Sequence, residues 1–124
     1  MSRSTNTNFA PLAKEFLGDF HADIVSEVQR TVFEHDVVVV GMFLNPHVFY
    51  VKRALEKEGI AFTYLEYGGY FSQWKQRLAI KMWSGWPTFP QVFVKGTLMG
   101  GNKKTQQAIQ DGSLQKILSS ARGV

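Results

Sequence analysis

The chain of 124 residues carries 14 basic and 10 acidic side chains, a formal net charge of +4, and it has no cysteine. This length predicts a single domain, and the lack of thiols excludes disulfides, a thiol nucleophile, and metal or iron–sulfur sites held by the protein's own thiolates. The basic residues alternate with acids along the chain, which argues against a nucleic-acid-binding tail.

The first 35 residues are predicted to precede the main domain. Residues 1–10 are polar and predict a flexible arm, and residues 11–35 predict a helical extension in which Val28 and Val32 fall on one face. The longest apolar run is too short to span a bilayer, and the N-terminus lacks the apolar core of a secretory signal. We therefore expect a cytoplasmic protein that does not associate with a membrane.

Strands and helices then alternate. The run Val37–Val40 predicts a central strand that is buried on both faces. Asn45 as N-cap and Pro46 in the first helical position predict a helix that ends at Gly59. Residues 60–65 predict a second strand, and the strand–helix–strand order predicts that the two strands are parallel.

A further helix is predicted to end near Trp83, with an apolar stripe that we expect to face the core: Phe71, Trp74, Leu78 and Met82. The surrounding aromatic residues could stack on nucleic-acid bases, but their spacing is more typical of a core, and we predict no nucleic-acid partner. Tyr67, Tyr70 and Trp83 are the candidates for an exposed patch that contacts a protein partner.

The segment of residues 86–96 (WPTFPQVFVKG) is the most distinctive part of the sequence. Its two prolines exclude a helix or a central strand, so Thr88 and Phe89 are expected to be extended, with peptide groups outside any ladder. A hairpin with its turn at Lys95-Gly96 should follow. The last helix is predicted to begin at Asn102 and to break near residues 111–112.

This segment, followed by Gly100-Gly101, resembles the second half of glutaredoxins, and its Trp-Pro pair is similar to their monothiol branch. The resemblance runs from about Asp36 to Leu118 and implies a glutaredoxin-like domain over residues 36–122. It implies an α/β thioredoxin/glutaredoxin fold, with a four-stranded mixed sheet and helices on both faces. The N-terminal helix would be an addition to that fold.

The resemblance aligns Asn45 with the nucleophilic cysteine of the family. A carboxamide does not ionise near neutral pH and cannot attack a disulfide, so we predict no catalytic residue and no thiol–disulfide exchange. Asn45 is also a poor ligand for soft metals, so no iron–sulfur cluster is expected. His21, His35 and His47 lack ligand-like spacing, and we predict no metal site.

The resemblance also implies a groove for glutathione beside a cis proline at Pro90. There the backbone of Phe89, with Thr88 next to it, would pair with a peptide ligand. Arg77 would pair with a carboxylate of glutathione, and Lys81 matches a further basic position of the family. The residue pattern alone equally allows Arg77 to be a solvent-facing residue of a helix.

The turn formed by Gly100, Gly101 and Asn102 would, by the same resemblance, receive a carboxylate at a helix N-terminus. It could equally be a plain connection between a strand and a helix. The family has an acidic residue after the glycine pair that meets the ligand's amino group, whereas this chain has Lys103. Lys103 would repel an ammonium group, so either the groove is kept as architecture without affinity for glutathione, or the ligand is a different anion. Binding of glutathione itself stays open.

Three functions remain open from the sequence. The first is a binding or regulatory module that holds glutathione or a peptide-like anion in the groove. The second is a glutathione-dependent transferase, in which the Asn45 side chain or the N-terminus of its helix would stabilise the thiolate of the bound ligand. The third is a protein-interaction scaffold whose groove no longer binds a small ligand.

Overall fold

The computed structural model describes residues 22–120, which form five helices and one sheet. The predicted arm over residues 1–10 and the start of the predicted helical extension lie outside the described residues. Within the described part of the chain, no helix combines the length and the apolar character that crossing a membrane requires.

Helix α1 comes first, and the α/β elements of the main domain follow it. The order is α1 (Ala22–Glu34), β1 (Val37–Gly41), α2 (Pro46–Lys57), β2 (Thr63–Glu66), α3 (Trp74–Ser84), β3 (Gln91–Val94), β4 (Thr97–Gly100), α4 (Asn102–Asp111) and α5 (Ser113–Ser119). The predicted break in the last helix is confirmed at Gly112, whose φ of 83° ends α4 before α5 begins.

The sheet has the strand order β2-β1-β3-β4, and it confirms the predicted mixed topology. Strands β1 and β2 are parallel, whereas β1 with β3 and β3 with β4 are antiparallel. The valines of β1 are buried on both faces: Val38 and Val40 contact the cluster that includes Val28 and Ile80, and Val39 contacts the opposite cluster with Leu55. The alternating directions of strand side chains explain this division.

Strand β2 is shorter than predicted and begins later. The sequence predicted residues 60–65, whereas the structure has Thr63–Glu66. The nitrogen of Ile60 still donates to the oxygen of Leu55 at the end of α2, and the pairing with β1 begins at Val38 and Thr63. Ile60 packs against the core without strand pairing, so its apolar character reflects burial and not a ladder.

The prediction that the stripe of α3 faces the core is wrong. Phe71 precedes the helix and is 102% exposed, and Trp74, Leu78 and Met82 are also exposed. The helix instead buries its other face, on which Ile80 is completely inaccessible. Of the tyrosines named as candidates for an exposed patch, Tyr67 is buried and Tyr70 is exposed.

Candidate functional site

A cavity of about 580 Å³ lies at the end of the sheet where β1 ends and β3 begins. Four segments meet there: the β1–α2 loop, helix α3, the loop before β3 and the start of α4. The lining residues are Met42, Asn45, His47, Tyr70, Arg77, Lys81, Trp86, Pro87, Thr88, Phe89, Pro90, Gly101, Asn102, Lys103 and Lys104. The fold therefore brings together most of the residues that the sequence singled out, from positions far apart in the chain.

Asn45 is the N-cap of α2, as the residue pattern predicted. Its Oδ1 accepts hydrogen bonds from the backbone nitrogens of His47 at 2.9 Å and Val48 at 3.3 Å. These N–H groups have no partner within the helix, and a thiolate at the same position would use such donors. In this chain the Asn45 amide already occupies them, so the helix N-terminus is chemically satisfied.

The side chain of Gln91 holds the loop before β3 in place by hydrogen bonds. This side chain is completely buried, and its Nε2 donates to the oxygens of Trp86 at 3.1 Å and Thr88 at 3.3 Å. The peptide bond between Phe89 and Pro90 is cis. Pairing of β3 with β1 begins at Gln91, so the peptide groups of Phe89 lie outside the ladder, as the two prolines predicted.

Arg77 lines the cavity and is itself buried, which makes the interpretation as a solvent-facing residue wrong. Its Nη1 donates to the oxygens of Tyr67 at 2.9 Å and Ser72 at 2.6 Å. Burial lowers the pKa of the Arg77 guanidinium from its ordinary value, although guanidinium groups keep their charge at neutral pH. Arg77 thus fixes the β2–α3 loop while it contributes positive charge to the cavity wall.

The charge of the cavity wall is of one sign. The described residues that line it include four basic ones, Arg77, Lys81, Lys103 and Lys104. No residue of this described lining is acidic. The Nζ of Lys81 lies 5.8 Å from the centre of the Phe89 ring, next to the extended backbone. A cleft lined by charges of one sign concentrates ligands of the opposite sign, so the cavity favours an anion.

The residues of the glycine turn have different roles. Gly101 and Asn102 line the cavity, whereas Gly100 does not. A Cβ on Gly100 would lie 3.1 Å from the Trp86 ring, and its φ is 112°, so a glycine there allows the indole to pack closely. Asn102 also brings its Nδ2 to 3.4 Å from the Nδ1 of His47 and so connects the starts of α2 and α4.

Met42, His47, Tyr70 and Lys104 are lining residues that the sequence did not predict to lie in the groove. Lys104 lies two residues from the predicted site residue Asn102, and His47 lies two residues from Asn45, which aligns with the family nucleophile. That proximity is the signal that could have found them. Among the described residues, no three histidine, aspartate or glutamate side chains lie together in a group that could hold a metal ion.

The chain is similar to glutaredoxins in sequence. A family model described as glutaredoxin matches residues 50–99. A glutaredoxin-like protein of Dictyostelium discoideum is 50% identical over 99 residues, which cover 80% of this chain and 80% of that protein. A probable monothiol glutaredoxin of Legionella pneumophila, GrlA, is 33% identical over 69 residues, 56% of this chain and 74% of that protein.

Solved glutaredoxin structures have the same fold. The crystal structure of buckwheat glutaredoxin in complex with glutathione superposes with a TM-score of 0.71 at 22% identity, over 79% of this chain and 89% of that one. Oxidized glutaredoxin 2 of Chlamydomonas reinhardtii gives a TM-score of 0.69 at 26% identity, over 79% and 92% of the two chains. The expected fold class is therefore confirmed.

Proposed function

The chain belongs to the glutaredoxin family, and we propose that it binds glutathione without thiol–disulfide exchange. It would act as a binding or regulatory module. The absence of cysteine removes the group that performs the exchange, while the groove around it keeps the features that a small anionic peptide needs.

One observation carries this proposal. The same cavity presents the extended backbone at Thr88 and Phe89, the start of α4 at Gly101, and a wall with basic and no acidic side chains among the described residues. Extended peptide groups pair with a peptide backbone, and helix N-termini and cations receive carboxylates. A related protein of the same fold, buckwheat glutaredoxin, was crystallised with glutathione, which supports this choice of anion.

The geometry argues against the transferase alternative. That mechanism needs the Asn45 side chain or the start of α2 to stabilise the thiolate of bound glutathione. The nitrogens of His47 and Val48 already donate to Asn45, which leaves the Asn45 amide NH2 and not these helix N–H groups for that task. The scaffold alternative draws support from a different feature, the exposed apolar side chains of Phe71 and Trp74. It remains the second candidate, and it predicts no binding of a small ligand.

Titration of isotope-labelled protein with glutathione tests the proposal through amide chemical shifts. We expect saturable shifts at Arg77, Phe89, Gly101 and Asn102, and unchanged signals in α5. Triglycine, a tripeptide with one carboxylate fewer than glutathione, is the control ligand and should give no saturable shifts over the same range. Unchanged spectra at millimolar glutathione would refute the proposal and favour the scaffold.

A further inference from the structure

A second cavity, of about 810 Å³, adjoins the first one. It lies between helices α2 and α4, and Asn102 lines both cavities. Its other lining residues are Phe49, Tyr50, Arg53, Ala54, Glu56, Lys57 and Gln106. Nothing in the proposed binding of glutathione uses this space, because the peptide would lie between α3, the loop before β3 and the start of α4.

The second cavity differs from the first in chemistry. Phe49 and Tyr50 are 55% and 53% exposed, and their rings are in edge-to-face contact with centres 5.6 Å apart. The guanidinium carbon of Arg53 lies 5.7 Å from the centre of the Phe49 ring. Exposed aromatic surface of this kind gains free energy when an apolar or aromatic group covers it. The first cavity is basic, whereas the wall of the second is aromatic where α2 begins.

The start of α2 provides the link between the cavities. Asn45 lines the first cavity, so the sulfur of a glutathione bound there would lie near this helix terminus. A thiolate there would need N–H donors, and the Asn45 Oδ1 has already taken those of His47 and Val48. A thioether or disulfide sulfur is uncharged and needs no such donors, and the chain has no thiol to attack it.

We propose that the preferred ligand is glutathione whose sulfur carries an aromatic or alkyl substituent. The peptide part would occupy the basic cavity, and the substituent would pass Asn102 and cover Phe49 in the second one. This inference rests on the proposed function, because it needs the peptide to bind in the first cavity. It makes the protein a receptor for glutathione S-conjugates, which it binds intact.

Calorimetric titration with glutathione, S-methylglutathione and S-benzylglutathione tests this inference. The three ligands share the peptide and differ in the group on sulfur. We expect the benzyl conjugate to bind about tenfold more tightly than the methyl conjugate, because its ring removes more apolar surface from water.

Two matched variants locate the effect. Phe49→Ala should abolish the preference for the benzyl conjugate while leaving the affinity for S-methylglutathione unchanged. Phe43→Ala is the control, because Phe43 is 54% exposed but lines neither cavity, and it should keep the preference. Both side chains are on the surface, so neither substitution should prevent folding.

The outcomes separate the two proposals. Equal affinities for the methyl and benzyl conjugates, or a benzyl preference that survives in Phe49→Ala, would overturn the inference while glutathione binding still stands. If none of the three ligands binds, the inference and the proposed function both fail.

Discussion

Asn45 caps the start of α2 through its side chain. Its amide oxygen satisfies the nitrogens of His47 and Val48, and a side-chain cap of this kind contributes about 1 kcal/mol to stability. A thiol at the same position would lose part of this capping and gain reactivity, because the same N–H groups would stabilise its anion. Stability and thiol chemistry therefore compete for one pair of donors.

We expect Asn45→Cys to create a reactive thiol that supports glutathione-dependent disulfide reduction. Its pKa should lie about one unit or more below the ordinary value of about 8.5, because the nitrogens of His47 and Val48 become available to the thiolate. The pH dependence of alkylation by iodoacetamide measures this pKa, and a coupled assay with a glutathione mixed disulfide measures the activity.

Asn45→Ser is the matched control for that experiment. A serine hydroxyl caps a helix as asparagine does but cannot exchange with a disulfide, so this variant should stay inactive. If the cysteine variant has an unshifted thiol pKa and no activity above the serine variant, the helix terminus is not positioned for catalysis and the groove has been remodelled.

For single residues, the sequence predicted local interactions well and long-range ones poorly. Asn45 as N-cap followed from the Asn-Pro pair, since capping involves residues two and three positions away. The burial of Arg77 did not follow, because its partners are the oxygens of Tyr67 and Ser72 in a loop that only folding brings to it.

Among the elements, α3 shows where periodicity fails as a guide. The helix has apolar residues on two sides, and the sequence alone could not decide which side meets the sheet. The run of valines in β1 left no such choice, because both of its faces are apolar. The face of α3 that the fold selects also serves the site. When Ile80 is buried against the core, Arg77 and Lys81 line the cavity.

The two faces of α3 should differ in their contribution to stability. Ile80→Ala is expected to cost about 2–5 kcal/mol of unfolding free energy, because the side chain is completely buried. Leu78→Ala, on the exposed face, should cost less than about 1 kcal/mol. Urea denaturation measures both values. Similar losses in the two variants would mean that the exposed face is covered in solution.

Helix α1 is attached to the site by a hydrogen bond between Tyr67 and Glu27. The hydroxyl of Tyr67, a residue of the β2–α3 loop, donates to Oε1 of Glu27 in α1. Burial raises the pKa of Tyr67 above its ordinary value of 10.0, and the Glu27 carboxylate raises it further. The oxygen of the same residue accepts from Arg77, so Tyr67 joins the added helix to the cavity wall.

Tyr67→Phe should therefore lower stability at neutral pH by about 1 kcal/mol, the net value of one hydrogen bond. Because the folded-state pKa is raised, the stabilisation is complete below the unfolded-state pKa of 10.0 and is lost as the pH rises above it. The fall in stability between about pH 9 and about pH 11, measured by urea unfolding, should be shallower in the variant. An unchanged slope would contradict this role for Tyr67.

Tyr64 is the necessary comparison, since its pKa is also raised, by burial and by its hydrogen bond to Glu66. Tyr64→Phe should make the alkaline fall shallower as well. It should leave the amide signals of α1 unchanged, because Tyr64 bonds within its own strand. Only Tyr67→Phe should shift those signals.

For the whole molecule, the distribution of charge matters more than its total. The net charge of +4 is modest, but the cavity wall alone contains Arg77, Lys81, Lys103 and Lys104, with no acid among its described residues. The other charges of the chain mix both signs. The attraction for an anion is therefore concentrated at one place, which composition alone could not predict because it depends on how α3 and α4 converge.

Binding of glutathione should therefore weaken as salt is added. Raising the ionic strength from about 0.01 M to about 0.15 M shortens the Debye length from about 30 Å to about 8 Å, which screens the more distant charges of the wall. Lys81→Gln should reduce the affinity about two- to fivefold, the usual range for one solvent-accessible ion pair, and it should flatten the salt dependence. Lys116→Gln, the same change in charge on α5, is the control and should alter neither quantity. Calorimetry at a series of salt concentrations measures both quantities. Equal effects of the two substitutions would mean that the net charge of the protein, and not the cavity, attracts the ligand.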